Sequence, residues 1–120
     1  MLKGDIYLKK PADFDRVYRQ GRHSGHPLLT VKSLPNGLTY PRWGVVVSKK
    51  LGTAVVRNLV KRRLREILRQ VALNTGRDII VIARPGAASV GFGDLQQAVW
   101  GLFKRNGLTE IDEIASPVVN

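Results

Sequence analysis

The chain is 120 residues and 13.3 kDa, with 43% hydrophobic and 24% charged residues, a size for one domain and a composition ordinary for a soluble globular protein, suggesting neither disorder nor a membrane protein. Twenty Lys and Arg against nine Asp and Glu give a net charge of +11 and a pI near 10.8, the range in which a polyanion is the expected partner. The absence of cysteine excludes disulfide scaffolds, thiolate metal sites and cysteine nucleophiles.

The start, MLKGDIYLKKPADF, lacks the apolar core of a signal peptide, and no apolar run approaches the ~18 residues of a membrane span; a cytoplasmic protein is expected. Pro11 suits the first turn of a helix and Gly21 its end, with Phe14, Val17 and Tyr18 between them at helical spacing. Leu28 to Ser33 reads as a strand, Pro35-Asn36-Gly37 as a turn, and Trp43 to Ser48 as a second strand. Together these predict an antiparallel pair joined by a modest loop. Gly52 and Thr53 open a long helix, Thr53 as its N-cap, running to about Leu73 and stopped by Asn74-Thr75-Gly76. Asp78 to Ala83, DIIVIA, has the apolar β-branched character of a strand buried on both faces, expected to be central and parallel to the strand before the helix. Leu95, Ala98, Val99, Leu102 and Phe103 mark a final helix that Gly107 can stop. The predicted architecture is an α/β (α+β) sandwich: one small domain over residues 1–120, with a mixed central sheet packed by helices, a core of about 9–106 and an acidic tail over 107–120.

The charge is unevenly placed. From Arg16 to Arg77 there are 14 basic residues and one acid, Glu66, whereas the last eleven residues carry Glu110, Asp112 and Glu113 and no base. With Arg57 at zero and ~100° per residue, Lys61, Leu68, Arg65, Asn58, Arg69 and Arg62 fall within roughly 140°. Val56, Leu59, Val60, Leu64, Ile67 and Val71 fill the other side. Solvated helix faces usually mix signs, because like charges four apart repel; Arg57, Lys61, Arg65 and Arg69 are four like charges at that spacing. Phosphates would neutralise them, and the ~6 Å rise between successive side chains lets one face meet several phosphates of a folded RNA.

The run from Val47 to Glu66, VSKKLGTAVVRNLVKRRLRE, resembles the signature of the bacterial ribonuclease P protein component. Phe14, Tyr18 and Gly21 before it and Asp78 to Arg84 after it stand in that family's order, so the resemblance covers roughly Pro11 to Lys104. It departs at Leu59, where the family often has a second Arg. The resemblance implies a protein subunit that promotes removal of the 5′ leader from precursor tRNA. It places the catalytic RNA on Lys49, Lys50, Arg57, Asn58, Lys61, Arg62 and Arg65; Arg69 joins them on the helical wheel alone. By position it gives a cleft for the single-stranded leader to Phe14, Tyr18 and Lys32, where unpaired bases can stack on aromatic rings. It further implies a left-handed crossover through the basic helix, against the general right-handed preference.

An autonomous nuclease needs clustered carboxylates for metals or a positioned histidine base. Asp13 and Asp15 point to different sides of one helix, Asp5, Asp78 and Asp94 are scattered, and His23 and His26 sit in a Gly-rich loop with no third ligand nearby. The expectation is therefore that no catalytic group and no metal belong to this chain; the resemblance implies that the RNA subunit cleaves and binds most of the Mg²⁺. The rival readings are a structural ribosomal-type RNA-binding protein, a stand-alone metal-dependent nuclease and, more weakly, a DNA-binding domain.

Overall fold

A computed structural model describes residues 7–71 and 76–108. Pro11–Gln20 forms helix α1, Arg22–Gly25 strand β1, Leu29–Pro35 β2, Arg42–Val46 β3, Ala54–Gln70 helix α2, Arg77–Ala83 β4 and Phe92–Arg105 helix α3. The four strands lie in the order β1-β2-β4-β3, with β1–β2 and β2–β4 antiparallel and β3–β4 parallel. β4 is interior and parallel to β3, as its unbroken apolar run predicted. The predicted pairing of the second and third strands is corrected: β2 and β3 are not neighbours, because β4 lies between them. The short loop between the two brings their ends near without making them partners. β1, RHSG, has none of the apolar alternation that marks a strand; it exists because its backbone pairs with β2, Arg22 opposite Ser33 and Gly25 opposite Thr30.

Alternation along the strands divides the interior in two. Leu29, Val31, Trp43, Ile79 and Val81 face α2 and α3 and form the main core with Val60, Leu64, Ile67, Leu95, Val99, Leu102 and Phe103. Each fully buried side chain of this size contributes ~1.5–3 kcal/mol by leaving water. Ile80 faces the other way into a smaller cluster with Val17 and Leu8, edged by Phe14, Leu34, Val46 and Ile82; this is the face that α1 covers. Burial reaches slightly past the expected core, to Leu8 at one end and Leu108 at the other.

The helix ends follow local chemistry. Gly21, the predicted terminator of α1, has an ordinary negative φ; it is needed because a Cβ there would lie 2.4 Å from the Val17 carbonyl oxygen. α2 ends at Gln70, earlier than the predicted Leu73, and Leu73, Asn74 and Thr75 lie outside the described residues. Gly107 at φ +69 closes α3: its N–H reaches the Lys104 carbonyl at 3.2 Å and the Leu108 N–H reaches that of Phe103 at 2.8 Å. This is the Schellman pattern, and the buried Leu108 packs in the same core as Phe103. The tail residues from 109 onward also lie outside the described residues.

Candidate nucleic-acid interface

A compact elbow aims α2. Ser48 accepts from the Lys50 N–H at the start of a 3-10 turn, Lys49–Leu51, whose Leu51 is buried as an anchor while Lys49 and Lys50 are exposed. Gly52 turns the chain at φ +139, a conformation that side chains rarely adopt. Thr53 then caps α2, accepting from the Val56 N–H at 3.4 Å, a service worth ~1 kcal/mol. Arg57 reaches back to the Gly52 carbonyl at 2.9 Å, so this cation is held against the elbow it follows.

The remaining polar positions of α2 divide by environment. Asn58, Arg62, Arg65 and Arg69 are exposed and Lys61 is half-buried. Lys49, Lys50, Lys61, Arg62 and Arg65 make no side-chain hydrogen bond or ion pair with another described residue. Arg69 differs, pairing with Glu66 at 2.9 Å, so the acid offsets part of its charge. The predicted apolar side is buried as expected at Val60, Leu64, Ile67 and Val71, and Leu59 and Val56 are half-buried. Leu68, assigned by the wheel to the basic face, is instead 1% exposed. α3 lies along α2 and widens its buried strip, which leaves the basic face free of apolar interruption. Arg63, among the apolar positions, extends to the helix edge and donates to the Val90 carbonyl at 3.1 Å, tying α2 to the segment that enters α3.

On the other side of the sheet, α1 places Phe14 and Tyr18 one turn apart. Phe14 is half-buried against Gly44; a Cβ on that glycine would lie 2.8 Å from Phe14 Cζ. Tyr18 is 37% exposed; burial of its remainder raises its hydroxyl above the ordinary tyrosine value. Lys32 on β2 rises beside it, its Nζ 5.5 Å from the ring centroid and donating to the Tyr18 carbonyl at 3.1 Å. The three side chains predicted for the cleft therefore share one face, Tyr18 and Lys32 in contact and Phe14 deeper. A cavity of about 290 Å³ continues from Phe14 toward α2, lined also by Tyr7, Lys9, Trp43, Gly44 and Arg65. Tyr7 meets Trp43 edge to face at 4.7 Å. Arg65 thus borders both the basic face and this cavity, which shares Phe14 with the predicted cleft but not Tyr18 or Lys32. Gly44→Ala is expected to push the Phe14 ring outward and to lower stability by about 1–2 kcal/mol. Chemical denaturation checks this, and an unchanged midpoint would show that the ring is not wedged there.

Sequence reasoning missed the most heavily bonded polar group. Asp78, counted there among scattered acids, is fully buried and accepts from Arg42 Nε at 2.8 Å and Nη2 at 2.7 Å, Arg16 Nη2 at 2.9 Å and Asn36 Nδ2 at 2.9 Å. Burial alone would raise its pKa, but the bonds from Arg42 and Asn36 and the two guanidinium charges outweigh this and hold it below the usual aspartate value. The same bond to Asp78 raises that of Arg42. Asn36 Oδ1 also accepts from the Leu38 N–H at 2.8 Å, so the turn after β2 is fastened to the same carboxylate. The signal was available: a carboxylate opening an otherwise apolar interior strand must find cations.

Among the described residues no three His, Cys, Asp or Glu side chains are grouped to hold a metal. Asp13 and Asp15 are bound to arginines, and His26 accepts from the Leu28 N–H at 3.0 Å while His23 faces Lys32 across the β1–β2 pair. This donor set does not fit a protein-held Mg²⁺. Among the described residues no helix is long and apolar enough to cross a membrane.

A mixed four-stranded sheet with three helices, one of them basic along its outer side, defines a small α+β protein of the RNA-binding kind. The family model for ribonuclease P matches residues 2–107, and the chain belongs to that family, the protein subunit of ribonuclease P, which takes part in tRNA 5′ processing. The ribonuclease P protein component of Dehalococcoides mccartyi is 42% identical over 110 residues, covering 91% of this chain and 92% of the relative. That of Caldanaerobacter subterraneus is 39% identical over 108 residues, covering 88% and 93%. Among solved structures, the Staphylococcus aureus protein superposes with a TM-score of 0.79 at 33% identity, covering 88% of this chain and 98% of that one. The Thermotoga maritima protein gives 0.74 at 32%, covering 82% and 96%.

Proposed function

We propose that the outward side of α2 grips the catalytic RNA of ribonuclease P and that the cleft between α1 and the sheet holds the single-stranded 5′ leader of precursor tRNA, in the cytoplasm. Arg57, Asn58, Lys61, Arg62, Arg65, Lys49 and Lys50 neutralise phosphates of the catalytic RNA, with Arg69 a weaker contributor because Glu66 shares its charge. Phe14 and Tyr18 stack unpaired bases and Lys32 meets the strand's phosphates. The RNA supplies the groups and the Mg²⁺ that cleave. The observation that carries this reading is the separation of unpaired cations on one side of the molecule from partly exposed aromatic rings on the other, with Arg65 reaching the cavity beside Phe14.

Reconstituting the holoenzyme and comparing its affinity for precursor and mature tRNA tests the reading. Precursor is expected to bind more tightly, and Phe14→Ala or Tyr18→Ala to lower that preference at least about fivefold, since one stacked base contributes ~1–3 kcal/mol. Equal affinities would remove the leader cleft and leave a purely structural RNA-binding role. Cleavage at the mature 5′ end by the RNA-free protein with Mg²⁺ would place catalytic groups in the chain after all.

A further inference from the structure

α1 has ten residues and fully buries only Val17. A helix this short is marginal alone, and burial of one valine beside a half-buried phenylalanine is non-directional, so apolar contact does not fix its rotation over the sheet. A ring of alternating charge does. Arg16 Nη2 lies 2.9 Å from Asp78 and 3.7 Å from Asp13, and Arg42 lies 2.7 Å from Asp78 and 3.4 Å from Asp13. Asp13 and Arg16 belong to α1; Arg42 and Asp78 are directly paired on β3 and β4. Two of the four contacts therefore cross from helix to sheet, and both end on groups rooted in strands. Asp78, the base of the ring, is fully buried, whereas the Arg16 side chain is 38% exposed. Arg16 Nε is buried without an acceptor, so the guanidinium is oriented by the Asp78 carboxylate at some expense to its own hydrogen bonding. In sequence Arg16 stands midway between Phe14 and Tyr18, and a small rotation of α1 shifts both rings relative to Lys32 and Gly44.

We propose that this ring is a clamp setting the attitude of α1, and that Arg16 is a positioning residue for the leader cleft, holding Phe14 and Tyr18 at the spacing over the sheet that an unpaired RNA strand requires. The proposal rests on the leader-cleft reading above. It separates two roles in one cation: Arg16 acts through the rings rather than on the RNA.

The test uses reconstituted holoenzyme and measures three quantities for each variant: protein affinity for the catalytic RNA, affinity for precursor tRNA with and without its leader, and the thermal midpoint of the free protein. Arg16→Gln is expected to leave affinity for the catalytic RNA unchanged and to lower the leader-dependent gain about fivefold to tenfold, as small misplacements of binding groups do. Arg16→Lys, which keeps a donor for Asp78, recovers part of it. Asp13→Ala gives a test of sign that also serves if Arg16→Gln folds poorly. Removing a negative charge beside the cleft would by simple electrostatics tighten leader binding, whereas loss of a clamp contact weakens it. Weaker leader binding by folded Asp13→Ala supports the clamp; tighter or unchanged binding overturns it. An unchanged leader gain in folded Arg16→Gln, while Phe14→Ala reduces it, would overturn the clamp and keep the cleft. No effect from either substitution would overturn both. Parallel loss of affinity for the catalytic RNA would show a general loss of structure and also overturn the clamp.

Discussion

Asp78→Asn is expected to destabilise the folded protein by about 3 kcal/mol, the lower end of the cost of breaking a buried ion pair. Two guanidinium groups would lose their nearest counter-charge, keeping Asp13 at 3.7 and 3.4 Å, and Arg16 and Arg42 retain enough solvent contact, at 38% and 20% exposed, to moderate the penalty. Against total stabilities of ~5–15 kcal/mol for domains, this is a large fraction. The effect has a pH signature. The folded-state pKa of Asp78 is depressed, so the native protein binds fewer protons than the unfolded chain as acidity rises. The stabilisation is therefore complete well above the unfolded aspartate value of ~3.9 and disappears as pH falls through the lower folded value. Thermal midpoints of the parent and Asp78→Asn should differ most near neutrality and converge below about pH 4. A gap that persists undiminished into that range would show that the variant acts through packing and not through the carboxylate's charge.

The second large effect is on RNA affinity. Lys61, Arg62 and Arg65 make no side-chain ion pair with another described residue, so their replacement breaks none of the hydrogen bonds described for the fold. The triple substitution to Ala is expected to leave the thermal midpoint nearly unchanged while weakening binding to the catalytic RNA by roughly 10²–10³ at 0.1 M salt. The dependence of log affinity on log salt should flatten by about one unit for each lost phosphate contact. Arg69→Ala should change the slope less, because Glu66 already neutralises part of that charge. An unaltered slope in the triple variant would mean that this side of α2 is simply solvated, and the RNA would have to be sought elsewhere on the molecule.

Much of this organisation was legible in the amino-acid sequence because it is local. The helical spacing of Val60, Leu64 and Ile67, the cap at Thr53, the unbroken run from Ile79 to Ala83 and the stop at Gly107 each depend on neighbours within a turn or two. What escaped depends on partners far along the chain. β1 has no signature of its own and is a strand only because β2 offers hydrogen bonds. Insertion of β4 between β2 and β3 is a choice among pairings that alternation cannot rank. Leu68 fell on the wrong side of an ideal wheel because a wheel contains one helix, and α3 extends the buried strip. Asp78 looked like one acid among several; its three side-chain partners lie 36, 42 and 62 residues away. For the candidate site, charge periodicity located the cations, but not that Arg57 is occupied by Gly52, Arg69 by Glu66, and that Arg65 borders the cavity reached by Phe14.

The strand order also bears on how the protein is made. The interior strand β4 is the last of the four to be synthesised, and until it emerges β3 has no neighbour in the sheet and β2 has only β1. From Val46 at the end of β3 to Ala83 at the end of β4 is 83 − 46 = 37 residues, roughly 2–7 s at ribosomal rates of ~5–20 residues per second. α2 is made within this interval, so its apolar side has no completed sheet to lie on until Arg77–Ala83 follows. The basic helix is therefore made before the fold can close, and the arrival of Arg77–Ala83 is the step that joins β2, β3 and the Asp78 anchor in one event.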